Sequence, residues 1–525
     1  MAVTNTQAAA PSAEPAEAPA EPGSRRWLTV GWALVALAAV VCVALRFWTQ
    51  SHLWLDEALS VNIARLPVAD IPEALRHDGH PPLYYFLLHG WMSVFGETDR
   101  VVRALSGVFA VAALPLMWFA GRRLGGKQVA WLAVVVLALN PWALRYATEA
   151  RMYSFVVCLV LAGYLLVTAA LDRRNVWLLI GIALVTAALV LTHYWALYLV
   201  AATVVLILLR FRDASARPAA VRVLVAIGIG SLAFVPWLSS FADQAAHTGS
   251  PWAKPIRPST MLTITANDLG GIGSEGQVVG FVLTMLTLLA LFGIARSRHR
   301  IDLDLRTVPQ VRTEVVASGL TMAIGLVAIY AAGGTYESRY AAVYVPLLLL
   351  AAAVGITRFT ADWLRLVIVG VLALGGLLGG YRNVTIERTQ LGAEVVPALN
   401  EGAAAGDIVV YCPDQLGPAG TRHLRDDVIT MAYPTLGPPE RVDWVDYEER
   451  NDAADPDAIA QEVLARAGNQ TIWLAWAGTY RTFEGQCEAL NTALLRARPG
   501  GHPVVEDNGN KYFEHAWLFT FPPAQ

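Results

Sequence analysis

Two adjacent carboxylates, Asp56 and Glu57, lie in the segment Leu-Trp-Leu-Asp-Glu-Ala, directly after the first long apolar run of the chain. An ionisable group costs about 2.5–3.5 kcal/mol at the centre of a bilayer, so charged groups near membrane helices usually face a polar cavity. A carboxylate in such a cavity can accept the proton of an attacking hydroxyl, which makes Asp56 the candidate general base. For Glu57 the alternative is a helix cap, because a carboxylate in a first turn suits the helix dipole.

Further polar segments supply groups that could bind a sugar or a phosphate. The turn His-Asp-Gly-His-Pro-Pro (77–82) contains two His and one Asp, which could be metal ligands but are too closely spaced for a usual zinc site. We therefore expect this turn to bind substrate hydroxyls. Arginines in segments 145–153 and 333–340 are candidate phosphate ligands, because the guanidinium fork suits phosphate. The alternative at 145–153 is a Glu–Arg ion pair that braces two helices, and His193 could be purely structural. The predicted substrate-binding residues are Glu57, Asp78, His80, Glu149, Arg151, His193, Glu337 and Arg339.

The composition indicates a membrane protein. Of the 525 residues, 55% are hydrophobic and 15% are charged, whereas soluble domains carry about 25% charged residues. The net charge of −3 gives no reason to expect a nucleic-acid partner. Residues 1–24 are rich in Ala, Pro and Glu, which predicts a disordered cytoplasmic tail rather than a cleaved signal peptide.

About eleven apolar runs predict transmembrane helices, since a crossing needs roughly 20 residues. The short run 81–96 is interrupted by Pro and Gly, and we interpret it as an interfacial helix. With the N-terminus in the cytoplasm, the Arg-rich segments then lie inside, as the positive-inside rule requires, and the candidate site residues lie on the extracytoplasmic side. The predicted spans are 27–48, 101–121, 128–145, 153–171, 176–193, 194–210, 219–239, 277–296, 313–331, 340–358 and 363–381.

From about residue 385 the pattern becomes that of a soluble domain in which strands and helices alternate. Residues 383–525 are predicted to form an extracytoplasmic α/β domain with a small parallel or mixed sheet. Cys412 and Cys487 lie in this region. Because the predicted domain faces an oxidising compartment, we expect the two cysteines to form a disulfide. We expect segment 412–420 to bind an acceptor glycan, because ligands of such sheets lie beyond the carboxyl ends of strands.

The first polar segments resemble those of a known superfamily. The acidic opening "LWLDEA" followed by "DGHPPLYYFLLHGW" is similar to the GT-C integral-membrane glycosyltransferases, in the branch of the protein O-mannosyltransferases and the lipid A aminoarabinose transferases. The matching positions are Asp56-Glu57 and the run from His80 to Leu83. The resemblance covers residues 27–210 well, extends loosely to 381, and hardly includes the C-terminal region.

The resemblance implies a polytopic α-helical fold of about 11 transmembrane helices over residues 25–382, with an extracytoplasmic loop at 49–100. Such enzymes move a sugar from a polyprenyl-phosphate donor to a hydroxyl on the outer face of the cell membrane, with inversion. The implied base is Asp56, and Arg151 and Arg339 would bind the lipid phosphate. The implied partners are this donor, an envelope glycan, lipid or protein acceptor, and the bilayer. The Ala-rich, Lys-poor composition is typical of a high-GC bacterium, for which we expect mannose or arabinose as the sugar. No cofactor is required, and a divalent cation is an open alternative.

Three other functions are compatible with parts of the pattern. A protein O-mannosyltransferase is disfavoured because the chain lacks the large insert domain of the eukaryotic enzymes. A transporter or flippase for lipid-linked sugars would carry polar residues through the depth of the bundle, whereas the spans 219–239 and 363–381 are nearly free of charge. A non-catalytic scaffold of the cell envelope would make Asp56 dispensable.

Overall fold

The computed structural model describes residues 22–248, 256–271, 273–298, 300–332, 335–478 and 480–523. Residues 1–21 of the predicted tail lie outside these ranges, so its disorder stays a prediction. The described chain forms a helical bundle followed by a smaller α/β part, which we call the C-terminal domain.

The bundle consists mainly of α-helices, with one short β-hairpin. The helices are α1 (Pro22–Leu45), α2 (Leu55–Ala64), α3 (Ile71–Asp78), α4 (Leu83–Phe95), α5 (Asp99–Leu139), α6 (Pro141–Ala147), α7 (Tyr153–Asp172), α8 (Val176–Val190), α9 (Trp195–Leu209), α10 (Arg217–Ser231), α11 (Leu238–His247), α12 (Pro258–Asp268), α13 (Ser274–Phe292), α14 (Pro309–Ala332), α15 (Val345–Thr357) and α16 (Asp362–Thr385). The hairpin strands are β1 (Gly293–Ser297) and β2 (Arg300–Leu303). Short 3₁₀ turns occupy Arg210–Arg212, Leu232–Trp237 and Ser338–Val343.

Helix α5 is a hairpin of two arms rather than one straight rod. Gly125 and Gly126 leave the helical conformation, and Gly126 has a φ of 78°, a value that glycine adopts without strain. The rings of Trp118 and Trp131 are 4.4 Å apart, although a straight helix would separate these positions by about 20 Å. The two arms correspond to the separate spans predicted at 101–121 and 128–145.

The bundle has the length and composition of a multi-pass membrane protein. Among the described residues, eight helices are long and apolar enough to cross a membrane, and Val176–Val190 and Val345–Thr357 are shorter apolar helices. Because α5 consists of two arms, these ten helices comprise eleven apolar segments, which lie at the eleven predicted positions. The number that crosses a bilayer stays a prediction, as does the interfacial placement of α4.

The C-terminal domain contains one mixed sheet with covering helices, as predicted. Its helices are α17 (Val396–Gly402), α18 (Gly417–Thr421), α19 (Tyr447–Asp452), α20 (Pro456–Ala467) and α21 (Gln486–Ala497). Its strands are β3 (Ile408–Cys412), β4 (Ile429–Ala432), β5 (Ile472–Trp476), β6 (His502–Val505) and β7 (Trp517–Phe521), in the order β4-β3-β5-β7-β6. Strands β3, β4 and β5 are parallel, whereas β7 is antiparallel to both of its neighbours. The four-residue strand β4 was not predicted.

The C-terminal domain docks on the end of the bundle where α2, α3 and the start of α5 lie. Arg422 donates to Asp99 at 2.7 Å, and the backbone N–H of Trp444 donates to the carbonyl of His77 at 2.9 Å. Trp54, from the bundle side, packs within the apolar core of the C-terminal domain. The two parts are therefore joined by polar and apolar contacts.

A disulfide joins Cys412 at the end of β3 to Cys487 in α21, as the sequence predicts. It closes a loop with a sequence separation of 75 residues, for which the chain-entropy relation gives about 4 kcal/mol of stabilisation. We expect the double variant Cys412→Ser/Cys487→Ser to lower the melting temperature of the purified protein, with Cys158→Ser, which removes an unpaired cysteine, as the control. Alkylation of four thiols in unreduced, denatured protein would contradict the bond.

Candidate active site

A cavity of about 730 Å³ lies where the bundle meets the C-terminal domain. Seven of the nine residues predicted from the sequence line it, from five separate segments of the chain. They are Asp56, Asp78, His80, Arg151, His193, Glu337 and Arg339. The polar groups predicted to lie on one side of the bundle thus share a single cavity.

Asp56 lies in the first turn of α2, between the apolar cores of the two parts. Leu53 is buried in the large apolar cluster that includes the bundle core, while Trp54 and Leu55 are buried in a second cluster, formed otherwise by the C-terminal domain. This packing fixes the backbone and leaves the Asp56 carboxylate about one-fifth exposed, at 21%. Its Oδ2 accepts a hydrogen bond from Nη1 of Arg339 at 2.8 Å.

Glu57 faces away from the cavity, contrary to its predicted role in substrate binding. Its side chain is fully buried and forms an ion pair with Arg103, whose Nε lies 2.7 Å from Oε1. The same oxygen accepts from the backbone N–H of Ala150 at 2.8 Å. Glu57 therefore ties α2 to α5 and to the loop that carries Arg151.

Glu149 also lies behind the cavity and not in its lining. Its Oε1 accepts from Arg388 at 2.9 Å and from Arg145 at 3.2 Å. This arrangement is the bracing Glu–Arg ion pair that the sequence left open as an alternative. Because Glu149 does not line the cavity, its position does not support the predicted role in substrate binding.

Asp78, His80 and Arg151 form a chain of hydrogen bonds along one wall. Arg151 Nη2 lies 3.0 Å from His80 Nε2, and His80 Nδ1 lies 3.0 Å from Asp78 Oδ2. Because an arginine can only donate, Nε2 accepts and His80 is the neutral tautomer with its proton on Nδ1, directed at Asp78. Gly79 makes the intervening turn possible, since it ends α3 in the left-handed conformation with a φ of 82°.

The Asp78 carboxylate is buried but ionised. Burial raises its pKa, but His80, Arg151 and the hydroxyl of Tyr85 lower it more, so that the pKa lies below its ordinary value. Tyr85 donates to Oδ2 at 2.8 Å. Asp78 therefore orients His80, which in turn orients the Arg151 guanidinium.

Arg151 carries a buried positive charge at the cavity wall. It donates to the carbonyl of Asp56 at 3.2 Å and to the hydroxyl of Ser60 at 2.8 Å. No carboxylate of the described residues lies within ion-pair distance of its guanidinium. Arg151 and Arg339 are thus two guanidinium groups of the cavity that could donate to an anionic ligand.

His193 is held as a neutral aromatic group. Its Nδ1 accepts from the backbone N–H of Trp195 at 3.1 Å, and its ring lies between those of Tyr153 and Tyr340 at 5.8 and 5.5 Å. It therefore supplies shape and one N–H donor rather than charge.

The C-terminal domain supplies a wall that the sequence did not reveal. Of these residues, only Gln415 lies in the predicted acceptor segment 412–420. Trp444 lies between β4 and α19, and the others lie in the connections after β5 and before β7. None of them carries a motif or spacing by which the sequence could have identified it. The residues from this domain are Gln415, Trp444, Tyr480, Arg481, Phe513, Glu514 and His515.

A metal requirement stays untested. Within the described ranges, no group of three or more His, Cys, Asp or Glu side chains is arranged to hold a metal ion. Asp78 and His80 are only two neighbouring donors, and their contacts to Tyr85 and Arg151 account for their positions.

Known proteins resemble this chain in sequence over part of its length and in fold over most of it. The profile of the dolichyl-phosphate-mannose-protein mannosyltransferase family matches residues 79–239. This range includes the turn at Gly79 and His80 and the loop with Arg151. A comparison with curated protein sequences finds no match.

Two solved proteins illustrate the similarity in fold. ArnT from Cupriavidus metallidurans bound to undecaprenyl phosphate is 12% identical, with a TM-score of 0.57 over 94% of this chain and 98% of that one. Its apo form is 13% identical, with a TM-score of 0.56 over 95% and 98%. The Archaeoglobus fulgidus oligosaccharyltransferase in complex with Zn and sulfate is 11% identical, with a TM-score of 0.52 over 84% and 67%.

The different surroundings of Asp56 and Glu57 give a test with matched variants. Glu57→Gln leaves Arg103 buried without its counter-charge, which costs about 3–5 kcal/mol. We therefore expect Glu57→Gln to lower the melting temperature of the purified protein in detergent clearly. Asp56→Asn changes the partly exposed neighbour, and we expect it to lower the melting temperature much less. Equal melting temperatures for the two variants would contradict the assignment of Glu57 as the structural carboxylate.

Proposed function

We propose that the protein is a glycosyltransferase that moves a sugar from a polyprenyl-phosphate donor to a hydroxyl of an envelope glycan or lipid. The observation that carries the proposal is the shared cavity, in which the Asp56 carboxylate lies beside the guanidinium of Arg339 and within the field of Arg151. One base and two phosphate ligands are the groups that this reaction needs. The similarity in fold to ArnT, solved with undecaprenyl phosphate, supports the same reading.

The donor side is the wall of Arg151 and Arg339. A sugar phosphate linked to a polyprenol is anionic and reaches the protein through the lipid phase, at the level where the apolar helices end. The Nε atoms of both arginines are buried without a hydrogen-bond partner among the described residues. A phosphate oxygen that enters the cavity can satisfy such donors with charge-assisted hydrogen bonds.

The reaction is a single displacement at the anomeric carbon. Asp56 takes the proton of the acceptor hydroxyl as its oxygen attacks from the face opposite the phosphate. The bond from the anomeric carbon to the phosphate oxygen breaks, and the polyprenyl phosphate leaves with the electron pair, so that the configuration inverts. The two arginines stabilise the charge that develops on the leaving phosphate. No cofactor enters this scheme, and a divalent cation is the alternative to test.

We place the cavity and the C-terminal domain on the extracytoplasmic face and the N-terminus in the cytoplasm. The arginine-rich connections after α7 and α9 support this orientation through the positive-inside rule. The disulfide between Cys412 and Cys487 supports it independently, since such bonds persist in oxidising compartments. Mannose or arabinose is the sugar that we would test first.

Asp56→Asn removes the base and keeps the shape of the side chain. We expect the rate of donor consumption, measured with a panel of polyprenyl-phosphate sugars, to fall about 10²–10⁴-fold. The control is Asp426→Asn, which changes an exposed carboxylate of the C-terminal domain and should leave this rate unchanged. The measurement is release of polyprenyl phosphate by protein purified in detergent. Turnover like that of the wild type in Asp56→Asn would refute the mechanism.

Arg339→Ala removes one charged donor from the phosphate side. A hydrogen bond to a charged group contributes about 1.5–3 kcal/mol, so we expect the affinity for undecaprenyl phosphate to fall about 10- to 100-fold. Competition binding with a labelled lipid phosphate measures it. The control is Arg65→Ala, which breaks an exposed ion pair with Glu97 outside the cavity. Unchanged affinity in Arg339→Ala would contradict its assignment.

A further inference from the structure

We propose that Trp54, Phe513 and Glu514 form a subsite for a neutral saccharide on the wall that the C-terminal domain contributes to the cavity. The inference deepens the proposed function, on which it rests, by assigning a chemical class to the acceptor. It is carried by three separate observations on these side chains: unpartnered polar atoms, an exposed aromatic ring, and a position next to Asp56.

Two buried polar atoms of this wall have no hydrogen-bond partner among the described residues. They are the indole Nε1 of Trp54 and the Oε2 of Glu514, in side chains that are 8% and 2% exposed and that both line the cavity. A buried polar group without a partner costs about 1–3 kcal/mol. A ligand with hydroxyl groups can accept a hydrogen bond from the indole N–H of Trp54 and form another with the carboxyl group of Glu514. Its binding would remove this cost.

An exposed aromatic ring adjoins these polar atoms. Phe513 is 73% exposed, although its two neighbours in the chain, Tyr512 and Glu514, are buried. Its ring meets that of Trp54 edge to face, with the centroids 5.5 Å apart. The C–H faces of a pyranose or furanose ring are apolar and pack on such aromatic surfaces, whereas the hydroxyls at the rim of the sugar remain free for hydrogen bonds.

The charge of Glu514 favours a neutral ligand. Burial raises its pKa to about 8, and the nearby carboxylates of Asp56 and Glu57 contribute to the increase. The carboxyl group is therefore mostly protonated at neutral pH and can donate one hydrogen bond and accept another. This property contrasts with the arginine wall opposite, which suits an anionic phosphate.

The position of the subsite matches that of an acceptor. Oε1 of Glu514 accepts from the backbone N–H of Leu55 at 3.2 Å, and Leu55 directly precedes Asp56. Trp54 lies one residue further back on the same segment. A saccharide on this wall would thus present its hydroxyls beside the carboxylate that takes the proton.

The test is binding of neutral saccharides to the full chain in detergent, without donor. The probes are methyl glycosides and neutral disaccharides of mannose, arabinose, glucose and galactose, titrated by saturation-transfer NMR. We expect at least one to bind the wild type, and Phe513→Ala and Glu514→Leu each to weaken it at least tenfold. Glu514→Gln should retain binding, because an amide donates and accepts as a protonated carboxyl does. Phe95→Ala, at an exposed phenylalanine outside the cavity, is the control.

Failure of this inference is distinguishable from failure of the proposed function. Binding of no saccharide, unchanged binding in Phe513→Ala, or preferential binding of a Ser/Thr peptide would overturn the subsite. Undecaprenyl phosphate binding is measured on each variant and should be unchanged, which shows that the variants fold. Since these measurements need no turnover, an active Asp56→Asn would refute the mechanism and leave the saccharide result standing.

Discussion

The ion pair between Glu57 and Arg103 is the contact on which the site depends. It is fully buried, and a charge in such a place is tolerated only when its partner and its hydrogen bonds are in position. Glu57 accepts hydrogen bonds from Arg103 and from the backbone N–H of Ala150. Arg103 also donates to the carbonyls of Ser51 and His52. One pair therefore fixes the segment that carries the proposed base relative to the loop that carries Arg151.

The cavity built on this frame has two chemically different walls. The bundle side carries two arginines, Arg151 and Arg339, whose Nε atoms have no hydrogen-bond partner among the described residues. The side of the C-terminal domain presents aromatic rings and the carboxyl group of Glu514. Asp56 lies between the walls, so an anionic donor and a hydroxylated acceptor could each find complementary surroundings while their reacting atoms meet at one carboxylate.

Much of the bundle could be predicted from the sequence because the bilayer imposes a simple rule on it. Apolar runs near 20 residues long predict helices whatever they pack against, and the eleven runs correspond to eleven apolar segments of the described structure. The alternation of strands and helices was sufficient to predict an α/β domain with a mixed sheet. The strand β4 could not be predicted, because a segment of four residues is too short to show a clear alternation of apolar and polar residues. For the site, residue type and position on one side of the bundle brought seven cavity residues to attention.

The membrane class, the segment that holds Asp56 and the candidate arginines could all be identified from the sequence alone, because the cost of charge near lipid restricts where such residues occur. The different surroundings of the two neighbouring carboxylates follow from the packing in three dimensions. Adjacent positions on a helix point about 100° apart, so Asp56 faces the cavity while Glu57 is buried against Arg103. Only the fold could bring Glu514 to Leu55, since contacts between residues 459 apart leave no local pattern in the chain.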